Sequence, residues 1–308
     1  MDQVDLLVMC RVRGVSWNFL AREAQRPDGM ERLRAGRAAE ESPEASKSLA
    51  ALAAARDDAG ERQHSIEGML EGTDADGIQL TTVLDEDYPV NLRTIFNLPP
   101  FLFYKGTLRP DDALSVAVVG TRQASADGLS RTKRMAGLLV DAGVTVLSGL
   151  ARGIDTTAHQ ACLDAGGRTI AVLGSGIRRV YPPENQALAG QITEHGAVVS
   201  QFWPDAHPTS YTFPRRNVVT SGMSQGTVVI EASATSGAKM QARLAIEHGK
   251  QVFLLYSLVT EREWARTYLA RPRVHEVSDV ADIVRLLRPA AEQRNRAMER
   301  VQTPLTLF

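Results

Sequence analysis

Three short apolar runs that each break into a glycine-rich turn place the strongest constraint on the fold of this chain. The runs lie at 116–119, 144–147 and 169–173. A helix-compatible segment follows each of the first two turns, and strands that alternate with helices are typical of a parallel α/β sheet. The turns therefore follow the carboxyl ends of strands, which is the edge where open α/β sheets bind ligands.

The same alternation extends over much of the chain. Strands are predicted at 116–119, 144–147, 169–173, 197–200, 227–230 and 252–255. Helices are predicted between them, at 126–142, 153–165, 184–195, 214–224 and 236–248. Six strands joined by right-handed helical crossovers predict an α/β fold with a Rossmann-like, doubly wound, mostly parallel sheet.

Weaker patterns flank this region. Tandem prolines at Pro99 and Pro100 force an extended chain, and an edge strand is predicted directly after them, over 102–104. An amphipathic closing helix is predicted over 280–287, followed by a frayed tail from 289.

The first 76 residues form a separate compositional region. Apolar residues at helical spacing on both sides of Gly14 predict a helix–turn–helix hairpin over 1–24. This hairpin is either a DNA-binding unit or a packing module or oligomer contact. Residues 25–76 are predicted to be part helix, over 45–55 and 62–71, and part mobile connection. We therefore divide the chain into an N-terminal helical domain with a linker (1–76), a Rossmann-like domain (77–290) and a C-terminal tail (291–308).

Composition excludes several classes of protein. Hydrophobic residues make up 44% of the chain and charged residues 23%, which is ordinary for a globular protein. No apolar run reaches membrane-spanning length, and the N-terminus lacks a signal-peptide pattern. Cys10 and Cys162 lie far apart without metal-ligand spacing. We therefore expect no disulfide, no metal site and a location in the reducing cytoplasm.

The distribution of charge is more informative than its sum. The formal net charge is −1, which is not typical of a nucleic-acid-binding protein. Acidic residues cluster in the N-terminal third, whereas basic residues mark the turns of the α/β region: Arg122, Arg152, Arg178, Arg179, Arg215, Arg216 and Lys239. A local field, and not net charge, steers a polyanion. Glycine turns and helix N-termini favour phosphate, either free or within a nucleic-acid backbone.

Aromatic side chains accompany two groups of these cations. Arg122 directly follows Gly120-Thr121, so its guanidinium should project over the carboxyl edge of the sheet. Tyr211 and Phe213 precede Arg215-Arg216-Asn217 in one loop, and rings beside cations suit single-stranded nucleic acid. The alternative role for Phe213 is a buried loop anchor. Ser236, Gly237 and Lys239 open a predicted helix, where the positive charge opposes the helix dipole unless an anion is bound.

Evidence for catalysis is limited to one pair of residues. Asp155 and His159 lie four apart on a predicted helix, so they share a face and could act as a general base and its orienting partner. The structural alternative is that Asp155 stabilises the start of the helix and His159 hydrogen-bonds behind it. HExxH, GxSxG, Walker A and GxGxxG patterns are absent. We therefore predict no catalytic residue, no metal ligand and no cofactor.

Several of these motifs together resemble the DprA/Smf family of DNA-processing proteins of bacterial natural transformation. They are GTR at 120–122, SGLARGID at 148–155 with Ala158-His159, and TIAVLGSG at 169–176 followed by Tyr181-Pro182 and Asn185. The resemblance covers about residues 85–257. It implies a basic pocket for single-stranded DNA at the sheet edge, with Arg122 as the pocket arginine and Phe213 as the base-contacting ring. The predicted nucleic-acid-binding residues are Gly120, Thr121, Arg122, Ser148, Gly149, Arg152, Gly174, Ser175, Gly176, Tyr211, Phe213, Arg215, Arg216, Asn217, Ser236, Gly237 and Lys239.

The resemblance also implies partners and leaves alternatives. It implies a homodimer without membrane association that protects incoming single strands and helps load the RecA recombinase onto them. The chain departs from the family pattern at the carboxyl edge and in later loops, where Gln201 replaces a glutamate, Val218 replaces the second arginine of an R-N-R motif, Tyr256-Ser257 replaces Pro-Gly, and 236–242 reads SGAKMQA. A divergent paralogue that acts in defence against mobile DNA is one alternative. A Rossmannoid nucleotide-binding sensor or LOG-like nucleotide-processing enzyme, based on Gly226-Thr227 near Glu231, is a second, and a regulatory protein without DNA binding is a third.

Overall fold

The computed structural model describes residues 2–302, and a nine-stranded sheet runs through the centre of that part of the chain. The strands are β1 (Gln79–Thr82), β2 (Phe101–Gly106), β3 (Ser115–Val119), β4 (Thr145–Ser148), β5 (Thr169–Val172), β6 (Ala197–Ser200), β7 (Gly226–Val229), β8 (Gln251–Leu255) and β9 (Val274–Val277). Five helices precede the sheet: α1 (Asp2–Cys10), α2 (Trp17–Ala24), α3 (Gly29–Arg34), α4 (Pro43–Ala54) and α5 (Ala59–Ala75).

The remaining helices connect the strands or follow them. They are α6 (Ala126–Asp141), α7 (Ile154–Asp164), α8 (Gln186–His195), α9 (Thr212–Met223), α10 (Gly237–Glu247), α11 (Tyr256–Glu261), α12 (Glu263–Leu269), α13 (Val280–Val284) and α14 (Ala290–Gln302). Short 3₁₀ turns occupy Leu92–Thr94, Pro110–Ala113 and Pro183–Asn185.

Strand order explains where a ligand site must form. The order is β1-β2-β6-β5-β4-β3-β7-β8-β9, in which β3 to β9 run parallel to one another and β2 is antiparallel to both of its neighbours, β1 and β6. The chain winds outward from β3 through β4, β5 and β6, and then crosses back to place β7 on the other side of β3. This reversal opens a crevice at the carboxyl ends of β3 and β7. The predicted doubly wound, mostly parallel sheet is therefore confirmed.

Burial on both faces explains why the central strands are uniformly apolar. Val116, Val118, Val146 and Ile170 are fully buried, as expected for parallel strands covered by helices on two sides. All six predicted central strands agree with the structure to within one residue at either end. The five predicted connecting helices agree to within two residues.

The edges of the sheet differ from the prediction. The segment predicted as an edge strand over 102–104 is β2, which pairs with β1 on one side and β6 on the other. The actual edge strands are β1 and β9, each four residues long. The sequence does not predict them, because QLTT and VHEV lack the continuous apolar run that marks the four-residue central strands, which are buried on both faces.

The two chain ends carry more helix than predicted. Three helices, α3 to α5, occupy most of 25–76, where helical stretches joined by a mobile connection were expected. The frayed tail predicted from 289 is wrong as far as residue 302, because α14 forms there and buries Ala297. Gln293 of α14 also donates to the side-chain oxygen of Asn91 at 2.8 Å. The closing helix predicted over 280–287 is limited to α13, and the part of the predicted tail at 303–308 lies outside the described residues.

The predicted helical hairpin is present as α1 and α2. Ser16 caps α2, since its hydroxyl accepts from the backbone N–H of Phe19. Trp17 Nε1 donates to Cys10 O at 2.9 Å, which ties the start of α2 to the end of α1. The Trp17 ring also lies 5.0 Å from the ring of Phe101 in β2, so the hairpin packs directly against the sheet.

Candidate nucleic-acid interface

A cavity of about 610 Å³ opens at the carboxyl edge of the sheet, in the crevice between β3 and β7. Four segments line it: the loop after β3, the loop after β4, the start of α9, and the loop that leads into α10. This is the switch point of a doubly wound sheet, where such folds bind ligands.

The loop after β3 is held in a conformation that exposes Arg122. Thr121 N donates to Glu231 O at 2.8 Å, and Thr121 O accepts from Ile154 N at 3.3 Å. Gly153 adopts a φ of +75°, and a Cβ there would overlap the carbonyl oxygens of Thr121 and Arg122. The β3 and β4 loops therefore approach each other through a glycine, and the Arg122 side chain is left exposed on the cavity wall.

A buried ion pair lies beneath the loop after β4. Arg216 is only 7% exposed, and its Nη1 lies 4.0 Å from Asp155 Oδ2 and 3.2 Å from Val172 O, to which it donates. Gly149 N also donates to Asp155 Oδ2, at 3.1 Å. A Cβ at Gly149 would overlap the Arg216 guanidinium, so the glycine is required for this contact. Burial raises the pKa of Asp155, and the Arg216 guanidinium opposes that rise.

An aromatic wall stands beside the exposed arginine. The Arg122 guanidinium carbon lies 5.4 Å from the centre of the Phe213 ring, within the range of a cation–π contact. The Tyr181 ring lies 5.8 Å from Phe213 and is 44% exposed. Phe213 in turn rests on Gly174, where a Cβ would collide with the ring. Tyr181 is not among the site residues predicted from the sequence. Its position as an aromatic residue shortly after the third glycine turn could have indicated it.

The charged groups of the cavity leave one cation without a carboxylate. Arg216 is paired with Asp155, and Arg152 is paired with Glu184 at the rim. Arg122 forms no ion pair with any residue between 2 and 302. An exposed guanidinium beside two aromatic rings can bind a phosphate while a base stacks on a ring.

Several predicted residues do line this cavity. They are Gly120, Thr121, Arg122, Gly149, Arg152, Phe213, Arg216, Asn217, Ser236 and Gly237. Ser236 acts mainly as a helix cap, because its hydroxyl accepts from Lys239 N at 3.2 Å. Arg216 lies in the floor and not on the surface, which differs from the phosphate-binding position that the sequence suggests.

Four predicted residues are buried and shape the backbone instead. Ser148 donates to Val118 O at 2.7 Å, and its side chain points into the sheet. Gly176 N donates to Ala206 O at 2.8 Å, while the Ser175 hydroxyl donates to Arg179 O. The prediction that Ser148, Gly174, Ser175 and Gly176 contact nucleic acid is not supported by these positions, because the third glycine turn is covered by Phe213 and by the loop at 203–206.

Three further predicted residues lie on the surface but outside the cavity. Tyr211 is 82% exposed at the start of α9. Arg215 lies over the Trp17 ring, 5.4 Å from its centre. Lys239 Nζ lies 5.7 Å from the Trp264 ring and 6.0 Å from the Tyr268 ring. These ring contacts account for a cation in the first turn of α10 without a bound anion.

The predicted pairing of Asp155 with His159 is not found. Thr169 Oγ1 lies 2.7 Å from His159 Nδ1 and donates to Val146 O, so it must accept the proton that the neutral imidazole carries on Nδ1. Burial lowers the pKa of His159 to about 3. Asp155 is instead bound by Gly149 and Arg216, and the two side chains do not form a base with an orienting partner.

Glu231, the carboxylate suggested for a nucleotide-processing enzyme, is hydrogen-bonded to Ser125 outside the cavity. Glu231 Oε2 accepts from Ser125 N at 3.1 Å and from Ser125 Oγ at 3.0 Å. It therefore neutralises the N-terminus of α6 and does not line the cavity. Within residues 2–302 there is no cluster of three or more His, Cys, Asp or Glu side chains able to hold a metal ion. In the same range, no helix is both long and apolar enough to span a membrane.

A family model described as DNA recombination-mediator protein A matches residues 79–288, which span the whole sheet and the cavity. The chain belongs to this family. Among curated DprA-family relatives, Protein Smf of Escherichia coli K12 is 41% identical over 192 residues, covering 62% of this chain and 51% of that protein. DNA processing protein DprA of Streptococcus pneumoniae is 38% identical over 174 residues, covering 56% of this chain and 61% of that protein. The chain spans about half the length of the curated relatives it matches.

Solved structures of DprA proteins share the architecture. The crystal structure of DprA from Streptococcus pneumoniae superposes with a TM-score of 0.71 at 26% identity, covering 92% of this chain and 98% of that one. A structure of DNA processing protein A from Helicobacter pylori, described for the single-stranded DNA binding mode of that protein, gives a TM-score of 0.59 at 24% identity. It covers 67% of this chain and 94% of that one, and at this identity it shows the shared fold.

Proposed function

We propose that this DprA-family protein binds single-stranded DNA in the cavity between β3 and β7. The observation that carries the proposal is the exposed Arg122 guanidinium against the Phe213 ring, with Tyr181 beside it. This arrangement supplies a cation for the backbone and aromatic faces for unpaired bases, the two contacts that sequence-tolerant single-strand binding requires.

Each part of the site has a distinct role in this proposal. Arg122 contacts a phosphate, and Phe213 with Tyr181 stacks on exposed bases. The buried Arg216–Asp155 pair holds the floor against Gly149 and keeps the β4 loop closed on the cavity. Arg152 is paired with Glu184 at the rim, so the positive charge for a phosphate comes from Arg122.

Family membership extends the proposal to cellular role. We propose that the protein protects incoming single strands and helps load the RecA recombinase onto them, in transformation or in a related defence against mobile DNA. We also propose that it acts as a homodimer in the bacterial cytoplasm. The two free cysteines, Cys10 and Cys162, are buried, and burial raises the pKa of both thiols, so both are poor nucleophiles.

We further propose that the protein has no catalytic activity of its own. Asp155, the carboxylate in the cavity, is held by Arg216 and by the Gly149 amide. His159 is buried and kept neutral, so it has no route to a substrate proton.

The proposal is tested by titrating the full chain against labelled single strands, duplex and mononucleotides, with fluorescence anisotropy as the readout. We expect the single strand to bind tightest, with a slope of log affinity against log salt of about −0.7 for each phosphate contacted. Mononucleotides that bind as tightly as an oligonucleotide, or any cleaved product on incubation, would contradict a non-catalytic strand-binding protein and favour the nucleotide-processing alternative.

A further inference from the structure

A second group of arginines and aromatic rings lies outside the cavity, where α2 meets the sheet. The Arg11 guanidinium carbon lies 3.9 Å from the centre of the Trp203 ring, and that of Arg215 lies 5.4 Å from the centre of the Trp17 ring. The two indoles meet edge to face at 5.7 Å. We call Arg11, Trp17, Trp203 and Arg215 the tryptophan platform.

The two arginines of the tryptophan platform are exposed residues that packing partly desolvates, and neither has a counter-charge within residues 2–302. Burial lowers the pKa of both Arg11 and Arg215, and neither forms an ion pair with any residue in the described range 2–302. Arginines elsewhere are neutralised: Arg22 by Glu40 and Glu44, and Arg168 by Asp112. Two exposed guanidinium groups held on indoles and without a carboxylate can accept an anion.

The start of α9 joins this surface to the cavity. Phe213, Arg216 and Asn217 are spaced three and four residues apart, so they share one face of the helix, and all three line the cavity. Tyr211 and Arg215 are four apart and share the opposite face, which meets Trp17. One helical turn therefore separates the two surfaces, with the exposed Tyr211 ring at its tip.

We propose that the tryptophan platform is a second contact region for the same single strand, which leaves the cavity past Phe213, crosses the start of α9 at Tyr211 and runs onto α2. The N-terminal helical hairpin is then part of the nucleic-acid-binding surface. This inference rests on the proposed function, because it continues the strand that the cavity holds.

The chemistry favours a single-stranded nucleic acid over other polyanions. Guanidinium groups that lie on indoles offer an outer cationic plane on which a base can stack, while their N–H groups reach the phosphates. A duplex keeps its base faces within the stack and cannot use this plane. An acidic protein segment would use only the charges, and its binding is one outcome of the test.

The test compares oligothymidylates of about 5 and about 20 nucleotides, since the shorter one can fill the cavity but not both regions. The variant Arg11→Gln with Arg215→Gln replaces both guanidinium groups with neutral amides and so removes two charges. We expect it to bind the long strand about tenfold more weakly, with the salt slope reduced by about 0.7 for each lost phosphate contact. Binding of the short strand should not change. The control is Arg285→Gln, which removes the charge of an exposed arginine at the end of α13.

Tryptophan emission gives an independent readout in a Trp264→Phe background, in which Trp17 and Trp203 are the remaining tryptophans. We expect quenching by the long strand and none by the short one. Quenching by an acidic peptide equal to that by the long strand would overturn the assignment to nucleic acid. Unchanged long-strand affinity in the double variant would overturn the second region, while the Arg122→Ala variant reports separately on the cavity. If Arg122→Ala weakens the binding of both the short and the long strand, the proposed function is retained. If it weakens neither, the proposed function is rejected.

Discussion

At the scale of single residues, the sequence predicts the same DNA-binding role for Arg122 and Arg216, but the two differ in exposure. Arg122 lies exposed against Phe213, whereas Arg216 is buried with Asp155 beneath Gly149. An exposed guanidinium is free to contact a ligand and contributes little to folding, while a buried one stabilises its partner carboxylate. Substitution at the two positions should therefore affect different measurements.

Arg122→Ala should weaken single-strand binding by about 1–3 kcal/mol, the range for a lost charge-assisted hydrogen bond. The melting temperature should stay at the wild-type value, because the side chain is exposed and unpaired within residues 2–302. Anisotropy titrations together with thermal melts test both statements. Wild-type affinity in a normally folded variant would show that the cavity does not hold the strand.

Phe213→Ala should also weaken binding by about 1–3 kcal/mol, the contribution of one stacked base. Its salt slope should stay near the wild-type value, because the phosphate contacts remain. Phe96→Ala, which removes another exposed ring away from the cavity, is the control. A fall in melting temperature without a change in affinity would instead identify Phe213 as a loop anchor on Gly174.

Arg216→Ala should act on stability first. It leaves the buried Asp155 carboxylate without its cation, which typically costs about 3–5 kcal/mol of unfolding free energy. Urea titration measures this loss. Arg215→Ala, the next residue and an exposed one, should change the unfolding free energy far less. Equal stability of the two variants would contradict the buried pair.

At the scale of elements, glycine turns serve packing more than direct ligand contact. Gly149 and Gly174 admit the Arg216 guanidinium and the Phe213 ring, both from the start of α9. The strand-end loops and α9 are therefore locked together, and this contact sets the shape of the cavity. The same helix turn directs Arg215 away from the cavity, toward α2.

Gly149→Ala should destabilise the fold by about 1–3 kcal/mol, since the added methyl group overlaps the Arg216 guanidinium and forces a shift in a packed site. Gly137→Ala in α6 is the matched control, because a Cβ there meets nothing within 4 Å. That change should stabilise the helix by about 0.5–1 kcal/mol. Thermal melts of the two variants should move in opposite directions, and parallel shifts would contradict the packing assigned to Gly149.

At the scale of the whole molecule, buried neutral histidines couple stability to pH. Burial lowers the pKa of His159 to about 3 and that of His248 to about 4. His248 is held by Ser221 and Asn97, each at 2.9 Å. In the unfolded chain both rings take up a proton near pH 6.5, whereas in the folded protein they stay neutral.

The free energy of unfolding should therefore fall as pH decreases below about 6.5. The expected slope is about 1.4 kcal/mol per pH unit for each histidine, and it continues until the pH approaches the folded-state values. Urea titrations between pH 7 and pH 5 measure this slope. His248→Gln should reduce it, because that variant lacks one of the two buried rings. A stability that does not change over this range would contradict the buried neutral rings.

The sequence by itself determined the central sheet and the edge at which the site lies. The apolar runs at 116–119, 144–147 and 169–173 are continuous because both faces of their strands are buried, and glycine turns mark where each strand ends. Strand alternation with helices then specified the doubly wound order, since right-handed crossovers leave few other topologies. Arg122 and Phe213 were found in the same way, as polar and aromatic residues at that edge.

Only the tertiary structure decided which of the candidate residues face the cavity. The helical period places Phe213 and Arg215 on opposite faces of α9, but only the rotation of α9 against the sheet decides which of the two faces the cavity. The direction of a side chain also depends on contacts between distant segments, such as Tyr181 with Phe213 and Trp17 with Trp203. Local patterns carry the period of a helix or strand but not the neighbours that cover each face, so burial of Ser175 and Arg216 could not be predicted from them.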